Sequence, residues 1–383
     1  MSNKMQCKIR PSLYVPKNKQ ALTKVHALHD RNAYLKGYWY AIALSENISH
    51  DKPHKTSCFD RDIVLYRDKY TEKIIAQDNV CPHRGAPLDR GWLEHDAFDQ
   101  TTAIACPYHG WVFDTHGKIA RVPSLKCDCD RLPKRQVLPT YTDATHEEGG
   151  YVWFLYGGDA MCSSPIPTRD MDDLIQKERA IGVPWRPVYG EILFDAPHWN
   201  VFDNAIDITH IHYLHGDSFG NSSKPEIKDF EMLNEDDSAA HHVHMRFKIH
   251  NKPANLLWHW TIVDDVDVEM QIWLPYTSII KISLGAGVQM ITVVNTTPID
   301  AHRSINRFCL WRNFAPWPVL DGFARQAMLN ILGQDKDMVE LLLRPQQVTK
   351  EISLRSDMPQ IAYRKLRQKI ANIFQRGQLT DQR

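Results

Sequence analysis

The chain is 383 residues long, which is more than one ordinary hydrophobic core holds, so we expect two domains. Its hydrophobic fraction of 43% and charged fraction of 24% are those of a folded globular protein, which excludes a disordered or fibrous chain. Lysine plus arginine equals aspartate plus glutamate at 46 each, so the charge balance argues against nucleic acid as a partner. No apolar run approaches the roughly 20 residues of a membrane-spanning helix, and we predict no transmembrane segment.

Residues 1–36 are basic, nearly free of acidic residues and without the apolar stretch of a signal peptide. We predict a solvated N-terminal arm here, with a transit peptide as the alternative. The 8 cysteines are scattered as free thiols in a reducing compartment would be. This indicates a cytoplasmic protein, or alternatively one of the plastid stroma.

The next region, residues 37–165, has the pattern of a small all-β domain. Short apolar runs alternate with turn residues, as in the hairpin turn that follows Asp114. We predict strands at Ile63–Tyr66, Lys73–Ala76, Thr101–Cys106, Trp111–Asp114 and Tyr151–Leu155.

A stretch rich in proline and serine at 163–169 marks the domain boundary, and we assign residues 166–383 to the second domain. This domain begins with a helical stretch at 198–215 and a polar loop. Strand patterns follow at 242–249, 256–263, 266–274, 279–284, 290–297 and 305–311. This order of elements, a run of strands followed by a long helix, predicts an α+β fold in which an antiparallel sheet packs on helices.

A late helix is predicted from about Val319 to Leu343. Six of its apolar residues fall largely on one face, as in an amphipathic helix: Leu320, Phe323, Ala327, Ile331, Met338 and Leu342.

Two short loops in the first domain each supply one thiol and one imidazole: Cys81 with His83, and Cys106 with His109. Two cysteines on one iron and two histidines on the other are the ligands of a Rieske [2Fe–2S] cluster. A zinc site is the alternative, but zinc spacings favour paired cysteines on one turn and paired histidines on another. The nearby Cys127 and Cys129 are interpreted as ordinary thiols, because nothing beside them completes a site.

A second iron-type pattern follows in the second domain. Non-haem Fe(II) enzymes that activate O₂ use two histidines and one carboxylate. His210 and His215 can reach one metal from an irregular helix, and His212 is interpreted as a residue beside the ligands or in the pocket. Asp207, one turn earlier, can hold an imidazole N–H or act as a ligand itself. The carboxylate is left open at this point among Asp335, Asp337 and Glu340.

These motifs resemble those of the Rieske non-haem iron oxygenases over most of the chain, from about Tyr38 to Glu340. The segments from Cys81 to Leu88 and from Cys106 to Trp111 match the family's cluster loops, and the segment from Asn204 to His215 matches its mononuclear-iron signature. Within the family, the chain is similar to the branch of pheophorbide and chlorophyllide oxygenases.

The resemblance implies a helix-grip (START-like) catalytic domain and selects Asp335 as the third iron ligand. It further implies catalytic roles for Asn204 and Asp207, with Asp207 bridging the cluster of one subunit to the iron of the next in a homotrimer. Electrons would come from NAD(P)H through a ferredoxin or flavin reductase. With O₂, they would serve to hydroxylate or oxidatively demethylate a small hydrophobic, cyclic substrate.

Two alternatives from other classes remain at this point. One is a Rieske electron-transfer protein, which would leave the second iron motif unexplained. The other is a non-catalytic assembly subunit, although such a subunit would usually lose ligands from its sites.

Overall fold

A computed structural model describes residues 34–125, 132–157, 165–216, 220–234, 241–250, 265–342 and 352–380. The chain divides into two compact units: residues 39–161 form one, and residues 1–38 with 162–383 form the other. The predicted N-terminal arm up to residue 33, the Cys127–Cys129 pair and the predicted strand at 256–263 lie outside the described residues.

The unit of residues 39–161 is built from three small sheets, so its predicted all-β character is confirmed. The sheet orders are β1-β10-β9, β2-β3-β4 and β5-β6-β7-β8. The strands are β1 (Tyr38–Leu44), β2 (His54–Cys58), β3 (Arg61–Arg67), β4 (Ile74–Asp78), β5 (Trp92–Asp96), β6 (Thr101–Ala105), β7 (Val112–Asp114), β8 (Ile119–Arg121), β9 (Thr145–Glu148) and β10 (Tyr151–Tyr156).

The other unit centres on a seven-stranded antiparallel sheet of order β11-β17-β16-β15-β14-β13-β12, which confirms the α+β prediction. Its strands are β11 (Arg186–Phe194), β12 (Ile227–Met232), β13 (His242–His250), β14 (Asp265–Trp273), β15 (Thr277–Ser283), β16 (Gln289–Pro298) and β17 (Ser304–Arg312). The described helices are α1 (Arg169–Ala180), α2 (His198–Ala205), α3 (Ile211–Leu214), α4 (Asp321–Val339) and α5 (Met358–Thr380).

Strand β11, which contains Pro187, is absent from the sequence prediction. A proline cannot donate a ladder hydrogen bond, which confines it to edge strands and strand ends. β11 is the edge strand of the sheet, where Pro187 pairs with Trp311 of β17. The edge position therefore explains how a proline-containing segment joins the sheet.

Helix α4 forms as predicted, but the predicted apolar face is not the face that the unit buries. Met328, Leu332, Asp335 and Val339 are the buried residues of the helix. Phe323 is instead 66% exposed, and Met338 and Leu342 on the same predicted face are 45% and 48% exposed. Each residue advances a helix by about 100°, which places the buried face roughly a quarter turn from the predicted one.

Helix α5 lies beyond the last predicted element. It docks on α2 through a salt bridge of 2.8 Å between Arg364 and Asp203, and the ring of Tyr363 packs against that of Phe202 at 5.1 Å. Arg367 adds a hydrogen bond of 3.0 Å to the Tyr276 hydroxyl. The C-terminal helix thus holds α2, the helix that leads into the predicted iron segment. No helix in the described ranges combines the length and apolar character needed to cross a bilayer.

Candidate active site

The two loops that carry the cysteines share one backbone arrangement. In the first, Cys81 N–H donates to Ala86 O over 2.9 Å and Gly85 N–H donates to Cys81 O over 2.9 Å. In the second, Cys106 N–H donates to Trp111 O over 2.8 Å and Gly110 N–H donates to Cys106 O over 3.0 Å. Both glycines have positive φ, +75° and +69°, a conformation that other residues rarely adopt.

The four cysteine and histidine side chains of these loops converge. Cys81 and Cys106 are both 2% exposed, and their thiols lie within hydrogen-bonding reach of each other. The ring centroids of His83 and His109 are 4.7 Å apart. His83 Nδ1 is buried, and the part of the chain described here offers it no hydrogen-bond partner. The structure therefore brings together all four residues singled out in the sequence.

The electrostatics of the cysteines suit a metal. Burial raises the pKa of Cys81 to about 11, and backbone N–H groups of His83 and Arg84 oppose the rise by donating to its sulfur. A buried thiol with such a pKa ionises at neutral pH only when a cation stabilises the thiolate. Amides that point at the sulfur are also the donors by which proteins adjust an iron–sulfur cluster.

A single zinc ion fits this arrangement less well than a two-iron cluster. One tetrahedral ion would hold its ligand atoms close together. In the described ranges, the only group found with three ligand atoms within 4.8 Å of one another is His210, His215 and Asp335. The wider spread of the cysteine and histidine ligands matches a cluster whose two irons are ligated separately.

The predicted helix at 198–215 is broken into α2 and α3, and the break places the two histidines. α3 has only four residues, with His210 at its N-cap and His215 at its C-cap. Their ring centroids lie 5.2 Å apart. Gly220 permits this compact turn, because a Cβ atom there would lie 2.1 Å from Ile211 O.

Helix α4 brings Asp335 to the two histidines. Asp335 Oδ1 lies 3.3 Å from His210 Nε2 and 3.2 Å from His215 Nε2. Of the two other carboxylates considered, Asp337 is exposed, and Glu340 accepts a hydrogen bond of 2.7 Å from Asp195 N–H. The structure brings Asp335, and neither alternative, to the imidazoles.

The Asp335 carboxylate carries its charge in a buried position. Burial on its own would raise the pKa of Asp335, but the two adjacent imidazoles outweigh it and lower that pKa to about 2. Asp335 Oδ1 and His210 Nδ1 are both buried and have no hydrogen-bond partner among the residues described. Two histidines and one carboxylate are the facial set that binds non-haem Fe(II).

Hydrogen bonds orient the side chains around this triad. Gln334 Oε1 accepts from His215 Nδ1 at 2.8 Å, which orients the ring with Nε2 on the side of Asp335. The backbone N–H and the hydroxyl of Thr209 hold Asp207 Oδ1 at 2.7 and 2.8 Å. Asp207 Oδ2 is then 3.9 Å from His210 Nδ1.

Asn204 lies at the C-terminal end of α2, where its carbonyl oxygen accepts the Asp207 N–H over 3.0 Å. His212 is 1% exposed and lies apart from the triad. Its Nδ1 accepts the Asn221 N–H at 3.3 Å, so the proton of a neutral ring is on Nε2. Its lone pair is therefore already used, which agrees with a place beside the ligands.

Sequence reasoning gave no role to Gln334 or Thr209. Gln334 was visible only as the neighbour of Asp335, and Thr209 only as part of the segment between the predicted ligands. Their roles depend on how α4 and the turn before α3 fold, which no local pattern specifies.

Comparison with known proteins adds the following findings. Residues 38–142 match the Rieske [2Fe-2S] domain, and residues 194–372 match the vanillate O-demethylase oxygenase C-terminal domain. A chloroplastic chlorophyllide a oxygenase of Oryza sativa subsp. japonica is 29% identical over 202 residues, covering 52% of this chain and 32% of that protein. The chain therefore spans about a third of the length of the first curated relatives that it matches.

Two further proteins are similar to this chain, one in sequence and one in structure. An iron–sulfur subunit of the toluene-4-sulfonate monooxygenase system of Comamonas testosteroni is 25% identical over 51% of this chain and 50% of that subunit. The crystal structure of dicamba monooxygenase bound to 3,6-dichlorosalicylic acid superposes with a TM-score of 0.69 at 21% identity, covering 89% of this chain and 98% of that one. The latter likeness shows a shared fold.

The hydrogen bond from His215 to Gln334 gives a testable prediction. Gln334→Leu removes the acceptor, so we expect affinity for Fe(II) or Co(II) at the triad to fall about 10- to 100-fold. Anaerobic titration of metal-free protein measures this. Gln334→Glu keeps an acceptor and should retain affinity, and Gln326→Leu is the matched control on an exposed part of α4. An unchanged affinity of Gln334→Leu would contradict the orienting role.

Proposed function

Since this chain belongs to the Rieske non-haem iron oxygenases, we propose that it oxygenates a small hydrophobic, cyclic substrate by hydroxylation or oxidative demethylation. The reaction would use O₂ and electrons from NAD(P)H delivered by a ferredoxin or flavin reductase, in the cytoplasm. The observation that carries the proposal is the pairing of two complete donor sets in one chain. One is the thiol and imidazole set of the two loops, and the other is His210, His215 and Asp335.

When bound, the cluster would supply single electrons and the mononuclear iron would activate O₂. Cys81, His83, Cys106 and His109 would hold the cluster. His210, His215 and Asp335 would hold the iron on one side and leave the other side open to reactants.

Residues around the triad would orient its imidazoles and accept a proton from one of them. Gln334 fixes the tautomer of His215, because its carbonyl oxygen can accept only from a protonated Nδ1. Asp207 is held by Thr209 with its second oxygen toward His210 Nδ1, where a carboxylate can accept and retain a proton. Asn204 would support this arrangement through its carbonyl bond to Asp207.

The residues on one face of the seven-stranded sheet support the proposal that the substrate is apolar. The inner face of the sheet is the one that carries Val294 and Phe308 and packs against Met328 and Leu332 of α4. By strand alternation the half-buried residues Ile280, Ile282 and Met290 lie on the same face. Trp273 and Trp311 lie on the opposite face. The half-buried aliphatic surface of the inner face therefore favours hydrophobic ligands.

A substrate screen with metal analysis tests the function. Anaerobically purified protein should contain three irons per chain, two in the cluster and one at the triad. With a reductase, NADH and a panel of apolar ring compounds, it should consume O₂ and release an oxygenated product that mass spectrometry identifies. Asp335→Ala should retain two irons and the cluster spectrum but release no product. Wild-type protein with only two irons and no product would instead support the electron-carrier alternative.

Asp207 is proposed to couple the two metal sites. Asp207→Asn should leave both metals bound and reduce product formation at least about 100-fold, because the neutral amide cannot accept and hold a proton as a carboxylate does. Thr209→Val removes only one of the bonds that hold Asp207, so a smaller loss is expected. Metal content, cluster spectrum and product yield are measured together. Normal product formation by Asp207→Asn would exclude the coupling role.

We also propose that the chain assembles as a homotrimer. An outer apolar row supports this, because exposed apolar rows commonly mark protein interfaces. The row consists of Phe323, Ala327, Ile331 and Met338 on α4, and of Leu342 just after the helix. The double variant Phe323→Asp/Met338→Asp should be a monomer in size-exclusion chromatography with light scattering. Gln326→Asp, on another exposed part of α4, is the control. A trimer that survives both row substitutions would show that the row is not the interface.

A further inference from the structure

The two cluster loops differ at the residue that closes each of them. Ala86 O and Trp111 O accept the equivalent hydrogen bonds from Cys81 N–H and Cys106 N–H. The two loops therefore place a methyl group and an indole ring at matching positions. The two loops are otherwise alike, so this substitution gives the two imidazoles different surroundings.

The indole of Trp111 stacks on His83 across the gap between the loops. The ring centroids are 4.3 Å apart and the planes differ by only 6°. Trp111 is half-buried and packs against the hydrophobic core of its unit, which includes Phe113. The fold therefore holds the indole in place independently of any metal, and His83 rests on a fixed surface.

His109 has a different neighbour. Its ring lies 3.9 Å from that of Tyr108, with an angle of 36° between the planes. The Tyr108 residue is 65% exposed, so its ring is not fixed by a surrounding core. Ala86, the counterpart of Trp111, has no ring to offer. Of the two imidazoles, only His83 lies parallel to an aromatic ring that the core supports.

We infer that Trp111 is a positioning residue for the His83 ligand and that it lowers the midpoint potential of the cluster. This rests on the proposed cluster ligands. The indole is parallel to the His83 ring and is itself packed on the core, so it fixes the plane of that ring. The face of an indole is electron-rich. Reduction adds one negative charge to the cluster, and an electron-rich face that also keeps water away disfavours that charge.

Redox titration of the holoenzyme tests the inference, followed by visible absorption and EPR. Trp111→Ala gives the second loop the residue that closes the first. We expect a positive shift, seen as a rise of about 3- to 10-fold in the reduced-to-oxidised ratio at fixed ambient potential. A tenfold rise corresponds to about 59 mV for one electron. The EPR line shape should change as well, because the His83 plane is no longer fixed.

Trp111→Phe should recover most of the wild-type potential, since it restores an aromatic face. Trp92→Ala is the matched control, because Trp92 is a 46% exposed tryptophan of the same unit. If Trp111→Ala loses its cluster, Trp111→Leu replaces it, because leucine fills part of the space without an aromatic face. The potential of Trp111→Leu should then shift upward, and that of Trp92→Leu should not.

An unchanged or lowered potential at full cluster occupancy would overturn the inference, as would a Trp111→Phe protein shifted as far as Trp111→Ala. These outcomes leave the proposed function intact. Wild-type protein without a Rieske EPR signal would overturn both.

Discussion

A buried carboxylate between two imidazoles is the constraint around which the larger unit is organised. Asp335 is 7% exposed, yet its pKa is lowered to about 2, because the imidazoles of His210 and His215 outweigh the effect of burial. Burying a carboxylate this close to two imidazoles is costly unless a cation joins them. Three features bring these atoms together. They are the break between α2 and α3, the burial of the Asp335 face of α4, and the hydrogen bond between His215 and Gln334.

The parts of the site that could be predicted are those set by local sequence. Each cluster loop places its proposed ligands through short-range spacing and a positive-φ glycine, so these four candidates could be chosen without any tertiary information. His210 and His215 were likewise close in sequence. The choice among Asp335, Asp337 and Glu340 was different, because it depends on which face of α4 turns toward the sheet. Only the resemblance to a known family selected Asp335 in advance.

The limits of prediction have physical causes in particular elements. The buried face of α4 was placed a quarter turn away from where it lies, because the helix carries apolar residues on two adjacent faces. Periodicity detects both faces and cannot tell which of them the unit covers. β11 was missed because edge strands tolerate the prolines that usually end a strand. Hydrogen bonds such as that of Thr209 to Asp207 follow from a turn whose geometry no propensity encodes.

The proposed metal ligands of the larger unit come from segments that are far apart in the chain. The orienting bond between His215 and Gln334 already spans 119 positions. An ion shared by His215 and Asp335 would therefore act as a cross-link that closes a very long loop. By the chain-entropy estimate used for disulfides, a cross-link over about 100 residues lowers the free energy of the folded state relative to the unfolded one by about 4–5 kcal/mol. Loss of the ion would thus loosen the architecture of the whole unit, in addition to ending its chemistry.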